Sequence, residues 1–140
     1  MTLKLPYKTF PLRGGGITAT AVLNVSIALP AKNAPRTKRF EAVIDSGASR
    51  CIFHESLGRF MGLDIQKGIV EETLSVNGVT RMYLHDIALY APGGIIHCRA
   101  GFSDDLPIAG LLGMNGFFDH FKVFFDPTAQ RCELERVFLA

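Results

Sequence analysis

Apolar and polar residues alternate over much of this chain, and the alternation predicts most of its elements. In TATAVLNVSIALP, Ala21, Leu23, Val25, Ile27 and Leu29 fall at every second position, the period of a strand with one buried face. RFEAVID repeats that period through Phe40, Ala42 and Ile44. RCIF reads as a short strand, and HESLGRFMG has helical spacing in Leu57, Phe60 and Met61, with Gly62 suited to a helix end. EETLSVNGVTRMYLHDIALY divides into two strands about Asn77-Gly78, a dipeptide that favours tight hairpins. GIIHCRAGF predicts another strand, SDDLP a turn, IAGLLG an apolar run and MNGFFDHF a second short helix. KVFFD and RCELERV close the chain as a hairpin about PTAQ. The expected architecture is a single all-β domain over residues 1–140. It is a small closed barrel-like sheet with one or two short helices, not alternating β and α units.

Composition narrows the function classes. At 140 residues the chain is long enough to bury a core without staples, and 48% hydrophobic with 20% charged residues excludes a disordered profile. A net charge of +2 implies no general attraction to nucleic acid or to a membrane. The basic cluster AKNAPRTKR (Lys32, Arg36, Lys38, Arg39) lacks the interleaved aromatics of a single-strand binder and reads as a solvated hairpin loop in preference to a phosphate-binding patch. MTLKLPYKTF has no apolar signal-peptide core, and no apolar run has the length of a membrane span. Three scattered cysteines, Cys51, Cys98 and Cys132, fit reduced thiols, so the expected location is cytoplasmic.

One stretch breaks the apolar logic. FEAVIDSGASRCIF runs a strand into Asp45-Ser46-Gly47 where the core should be closing, and a buried carboxylate is costly unless it is paired or hydrogen-bonded. Asp, Ser and Gly are all turn formers, so a capped turn is one reading and a catalytic aspartate on a tight loop is the other. No metal centre is expected. Cys51 and His54 have C-x-x-H spacing, but His97 and Cys98 are adjacent on a strand and face opposite ways. GASRC lacks the second glycine of a serine-hydrolase elbow, and RGGGITAT lacks a phosphate-loop lysine and reads as a flexible turn.

Asp45-Ser46-Gly47 gains weight from GLLGMNGFF, where Leu111 and Leu112 precede Gly113. An Asp-Ser-Gly loop after an apolar strand, a mid-chain hairpin with a glycine tip, and an apolar-apolar-Gly segment follow one another in that order. In this the chain resembles the retropepsin-like aspartic peptidases, single-domain relatives of pepsin found in retroviruses and bacteria, from about Val22 to Val137. The continuations GASR and LLGM are most similar to the bacterial members.

The resemblance implies a hydrolase acting on extended peptide or protein substrates without metal or organic cofactor. Amide hydrolysis needs one group to take a proton from water and another to protonate the carbonyl oxygen. Two carboxylates held together share a proton and divide those roles, the aspartic peptidases being the standard example. Asp86, Asp104, Asp105, Asp119 and Asp126 are not followed by Ser/Thr-Gly. The second carboxylate is therefore expected from another copy of the chain, in a homodimer with a two-fold axis between the two Asp45 residues. Under the resemblance Asp45 is catalytic, with Ser46, Gly47 and Ala48 supporting its loop. Ser46 would hydrogen-bond across the interface, and Gly47 would offer its N–H to the carboxylate. Asn77 and Gly78 would form a flap tip, while Leu111, Leu112 and Gly113 would pack under the loop and line the substrate cleft. The alternative is a catalytically silent module of the same fold that binds peptides or dimerises.

Overall fold

The computed structural model describes residues 2–12, 14–75 and 78–138. Its strands are β1 (Thr2–Pro11), β2 (Ile17–Ala28), β3 (Phe40–Ile44), β4 (Ile52–His54), β5 (Ile69–Ser75), β6 (Gly78–Ala91), β7 (Gly94–Ser103), β8 (Gly110–Leu112), β9 (Phe121–Asp126) and β10 (Arg131–Arg136). A six-residue helix, α1 (Glu55–Phe60), and a 3-10 turn at Ile65–Lys67 follow β4. Among the described residues no helix is long and apolar enough to cross a membrane.

The strands form one sheet in the order β5-β6-β7-β4-β8-β3-β2-β1-β10-β9. A further pairing of β6 with β2, through Ser26↔Tyr90, Ile27↔Leu89 and Ala28↔Ala88, closes β6, β7, β4, β8, β3 and β2 into a ring. The length of β2 makes closure possible. Its first residues pair with β1, its middle with β3 and its last three with β6. The loop after β2 stays registered because Thr37 is buried there. Its hydroxyl accepts the Ile27 N–H (3.1 Å) while its own N–H donates to the Ile27 carbonyl (2.9 Å). The basic cluster is otherwise exposed, with the Arg36 guanidinium 4.5 Å from the centre of the Tyr90 ring.

Alternation in β2 works as expected. Ala21, Leu23, Val25 and Ile27 are buried in the barrel with Phe53, Phe102, Leu112 and Phe117. The Phe53 ring meets Phe40 edge-on (centroids 5.9 Å apart) and tilts onto Phe102 (6.1 Å), so strands far apart in sequence share one aromatic contact set.

Three local features differ from the pattern-based expectation. MTLKLPYKTF carries β1, whose Leu3, Leu5 and Tyr7 pack on the core. Pro6 stands where the strand changes partner, its last pair with β10 being Pro6↔Arg131 and its first with β2 being Tyr7↔Ala21. The segment MNGFFDHF is a run of turns and not a second helix. Gly116 there has φ +102°, and the bonds Phe118 N–H to Gly113 O and Asp119 N–H to Met114 O span five residues, wider than an α-turn. Finally, a 3-10 turn follows α1 where no element was predicted.

Candidate active site

Strand β8 is only three residues long and is held from both sides. It pairs parallel with β3 (Val43↔Leu111, Ile44↔Leu112) and antiparallel with β4 (Ile52↔Leu111, Phe53↔Gly110). The chain from 45 to 51 must therefore leave β3, pass around the end of β8 and return as β4. Backbone bonds lock that detour to the segment after β8. Asp45 N–H donates to Leu112 O (3.0 Å), Met114 N–H to Ala48 O (2.8 Å), Asn115 N–H to Ser49 O (3.0 Å) and Cys51 N–H to Asn115 O (3.2 Å).

Gly113 makes the close approach possible. A methyl group on its Cα would lie 2.4 Å from the Arg50 carbonyl oxygen and 2.7 Å from that of Ala48, both backbone atoms with no freedom to move aside. The Asp-Ser-Gly loop and the Leu-Leu-Gly segment, 68 residues apart in the chain, thus form one unit. Leu112 and Gly113 are buried beneath the loop, and of the Leu111–Gly113 segment only Leu111 keeps partial access to solvent.

On this platform Asp45 is half-buried, Ser46 and Gly47 are exposed and Ala48 is buried. The Asp45 carboxylate oxygen Oδ1 accepts the Gly47 N–H at 2.8 Å, an Asx-type turn that fixes the carboxylate relative to the loop. The acids of several other segments have partners elsewhere. Asp86 pairs with Arg99 and Asp64 with Lys67, Asp119 accepts from Gly116 N–H and contacts His120, and Asp126 accepts from Ala129 N–H.

Strands β5 and β6 form a ribbon that outruns the barrel. They pair from Ile69↔Leu84 to Ser75↔Gly78, whereas the pairing of β6 with β7 begins only at Tyr83. Gly78 opens β6 with φ +113°; Asn77 lies outside the described residues. Val70 and Val79 on this ribbon are exposed.

An ion pair that no local pattern foretells joins ribbon and loop. Arg50 Nε donates to Glu71 Oε1 (3.1 Å) and Arg50 Nη2 to Glu71 Oε2 (3.0 Å), while Nη1 reaches the Arg99 carbonyl (3.3 Å). The two residues are 21 positions apart on different elements, so no spacing rule points to them. Of the residues weighed for metal binding, Cys51 is in the core and His54 caps α1, its Nδ1 accepting the Ser56 N–H at 3.1 Å. Among the described residues no group of three or more His, Cys, Asp or Glu side chains is placed to hold a metal ion.

No family model matches the sequence, and no curated protein matches it. The structure does have a counterpart. It matches the crystal structure of a retropepsin-like aspartic protease from Rickettsia conorii with a TM-score of 0.64 and 16% identity, over 95% of this chain and 98% of that one. At that identity the likeness bears on architecture, and it extends across nearly the whole of both chains. The chain has the retropepsin-like fold, a mostly β structure with one short helix.

Proposed function

We propose that the protein is a homodimeric aspartic endopeptidase in which the Asp45 carboxylates of two protomers activate one water molecule. The observation that carries this reading is the seat of Asp45: half-exposed, fixed by the Gly47 N–H, on a loop clamped to Leu112–Asn115. A carboxylate held so firmly yet open to solvent suits a group that must meet a partner across a two-fold axis.

With one proton shared by the pair, the ionised carboxylate takes a proton from water as its oxygen attacks the scissile carbonyl carbon. The protonated carboxyl gives its proton to the carbonyl oxygen. Collapse of the tetrahedral diol breaks the C–N bond, the departing amine takes up a proton, and the shared proton is restored. The β5–β6 ribbon supplies a flap with apolar Val70 and Val79 for an extended peptide, which it would bind largely through its backbone.

The test is acid-dependent cleavage of a denatured protein by the wild type and by Asp45→Asn. The amide oxygen of the variant can still accept the Gly47 N–H, so the fold and its melting temperature are expected to persist while cleavage disappears. A statine-type mimic should inhibit the wild type, and activity should fall as dilution splits the dimer. Undiminished cleavage by Asp45→Asn, or cleavage by a monomer, would refute the proposal. Tight binding of the mimic by both proteins without cleavage by either would identify a peptide-binding module instead.

A further inference from the structure

A pair of thiols lies behind the active-site loop, and the proposed hydrolysis does not use it. Strand β4 runs parallel to β7 with Ile52↔Gly101, and the Gly101 N–H donates to the Cys51 carbonyl (3.0 Å). Cys51 therefore lies beside Ala100 and diagonal to Cys98. Ala100 and Cys98 are two residues apart on β7, so they share a face. Gly116 brings the backbone up against both sulfurs. A methyl group on its Cα would lie 2.9 Å from Cys98 Sγ and 3.2 Å from Cys51 Sγ. Both sulfurs therefore flank one point beside the Gly116 Cα.

Their exposure differs. Cys51 is fully buried, whereas Cys98 is only partly so and opens into a surface cavity of about 180 Å³ lined by Arg50, His97, Arg99 and Asp119. Cys132, the third thiol, is buried under the β1–β10 pairing.

We infer that Cys51 and Cys98 form a redox modification site, which reacts with a small disulfide of the glutathione class at Cys98 and closes to an intramolecular disulfide with Cys51. Interaction with Cys98 draws the Cys51 thiol down, and interaction with Cys51 together with burial pushes Cys98 well up, so the first negative charge formed resides on Cys51. Cys98 is the one of the two that opens to the cavity, so it meets the small disulfide first, and the Cys51 thiolate takes up its proton as the new S–S bond forms. Cys98 Sγ attacks one sulfur of the small disulfide, forming a mixed disulfide and expelling one small thiolate. Cys51 then loses its proton and its sulfur attacks Cys98 Sγ, expelling the second small thiolate. The two protons leave with the two released thiols, and the small disulfide is the oxidant.

The experiment uses the full chain under native conditions with glutathione disulfide at neutral pH. Remaining thiols are alkylated after unfolding, and peptides are mapped by mass spectrometry. The expected product is about 2 Da lighter than the reduced chain, with Cys51 crosslinked to Cys98, and forms at least about tenfold faster than any modification of Cys132. Cys51→Ser should instead accumulate a glutathione adduct on Cys98. Should that variant fail to fold, Cys98→Ser supplies the second arm and should leave buried Cys51 unmodified. A stable adduct on Cys98 in the wild type, preferential oxidation of Cys132, or three free thiols at the end would overturn the inference. The readout is chemical and does not depend on peptidase activity.

Discussion

Arg50 and Glu71 meet side by side through two N–H···O bonds of 3.1 and 3.0 Å, so the end of the Asp45 loop is tied directly to the β5–β6 ribbon. Their side chains are 19% and 30% exposed, which separates this pair from exposed ones such as Arg81–Glu72 at 60% and 51%. A fully solvated pair contributes little and a buried pair costs much to break, so an intermediate coupling is expected.

A double-mutant cycle with Arg50→Gln and Glu71→Gln should therefore give a coupling of about 1 to 2 kcal/mol in denaturant unfolding. Arg50→Lys keeps the charge but loses the planar fork, so it should recover less than half of that coupling. Amide exchange in β5 should quicken in either single variant. The same cycle at Arg81 and Glu72 is the control, and equal coupling at the two sites would remove the strap from the picture.

Gly113→Ala should be among the most damaging small substitutions in the chain. Its methyl group would meet backbone atoms of Arg50 at 2.4 and 2.6 Å, and separating β8 from the loop should cost about 2 to 4 kcal/mol. Gly47→Ala provides the contrast. The nearest atom there is the Asp45 carboxylate oxygen at 3.2 Å, which can shift by a few tenths of an ångström. Stability should then change little while the carboxylate is displaced, so any peptidase activity should suffer more than the melting temperature. Thermal melts of both variants decide the point, and similar melting temperatures would contradict the close approach at Gly113.

Cys132 yields a prediction about alkaline pH. Burial, followed by the charge of Glu133, pushes its thiol from an ordinary 9.0 up to about 11. The folded pKa is raised, so the unfolded chain ionises first. The stability gained from keeping the thiol neutral is full below about pH 9 and is lost as pH rises towards about 11. Replacing Cys132 by Ala should destabilise the protein at neutral pH by leaving a small cavity, and the gap to the wild type should narrow between those two values. Denaturant titrations at a series of pH values measure the gap. A constant gap would mean that the thiol is not held neutral by the fold.

The sequence was most informative where a residue's local pattern and its tertiary setting agree. Alternation in β2 located a strand whose alternate residues are buried, and Asn77-Gly78 predicted the β5–β6 hairpin, although Asn77 itself lies outside the described residues. Local rules misled where a partner overruled them. Pro6 argues against a strand interior, yet β1 passes through it because the strand changes neighbours there. MNGFFDHF has helix-like apolar spacing, but Gly116 with φ +102° and the Asp119 carboxylate on its N–H divert the chain into turns.

The order of residues alone determined the all-β class, most strand positions and the pairing in kind of Asp45-Ser46-Gly47 with Leu111-Leu112-Gly113, because these depend on period, turn chemistry and motif. Only the tertiary structure decided that β2 reaches β6 to close the ring, that Arg50 grips Glu71 and that Cys51 and Cys98 both border Gly116. Each of those relations joins groups far apart along the chain. They arise from strand register and close backbone approach at glycine, which no local spacing encodes.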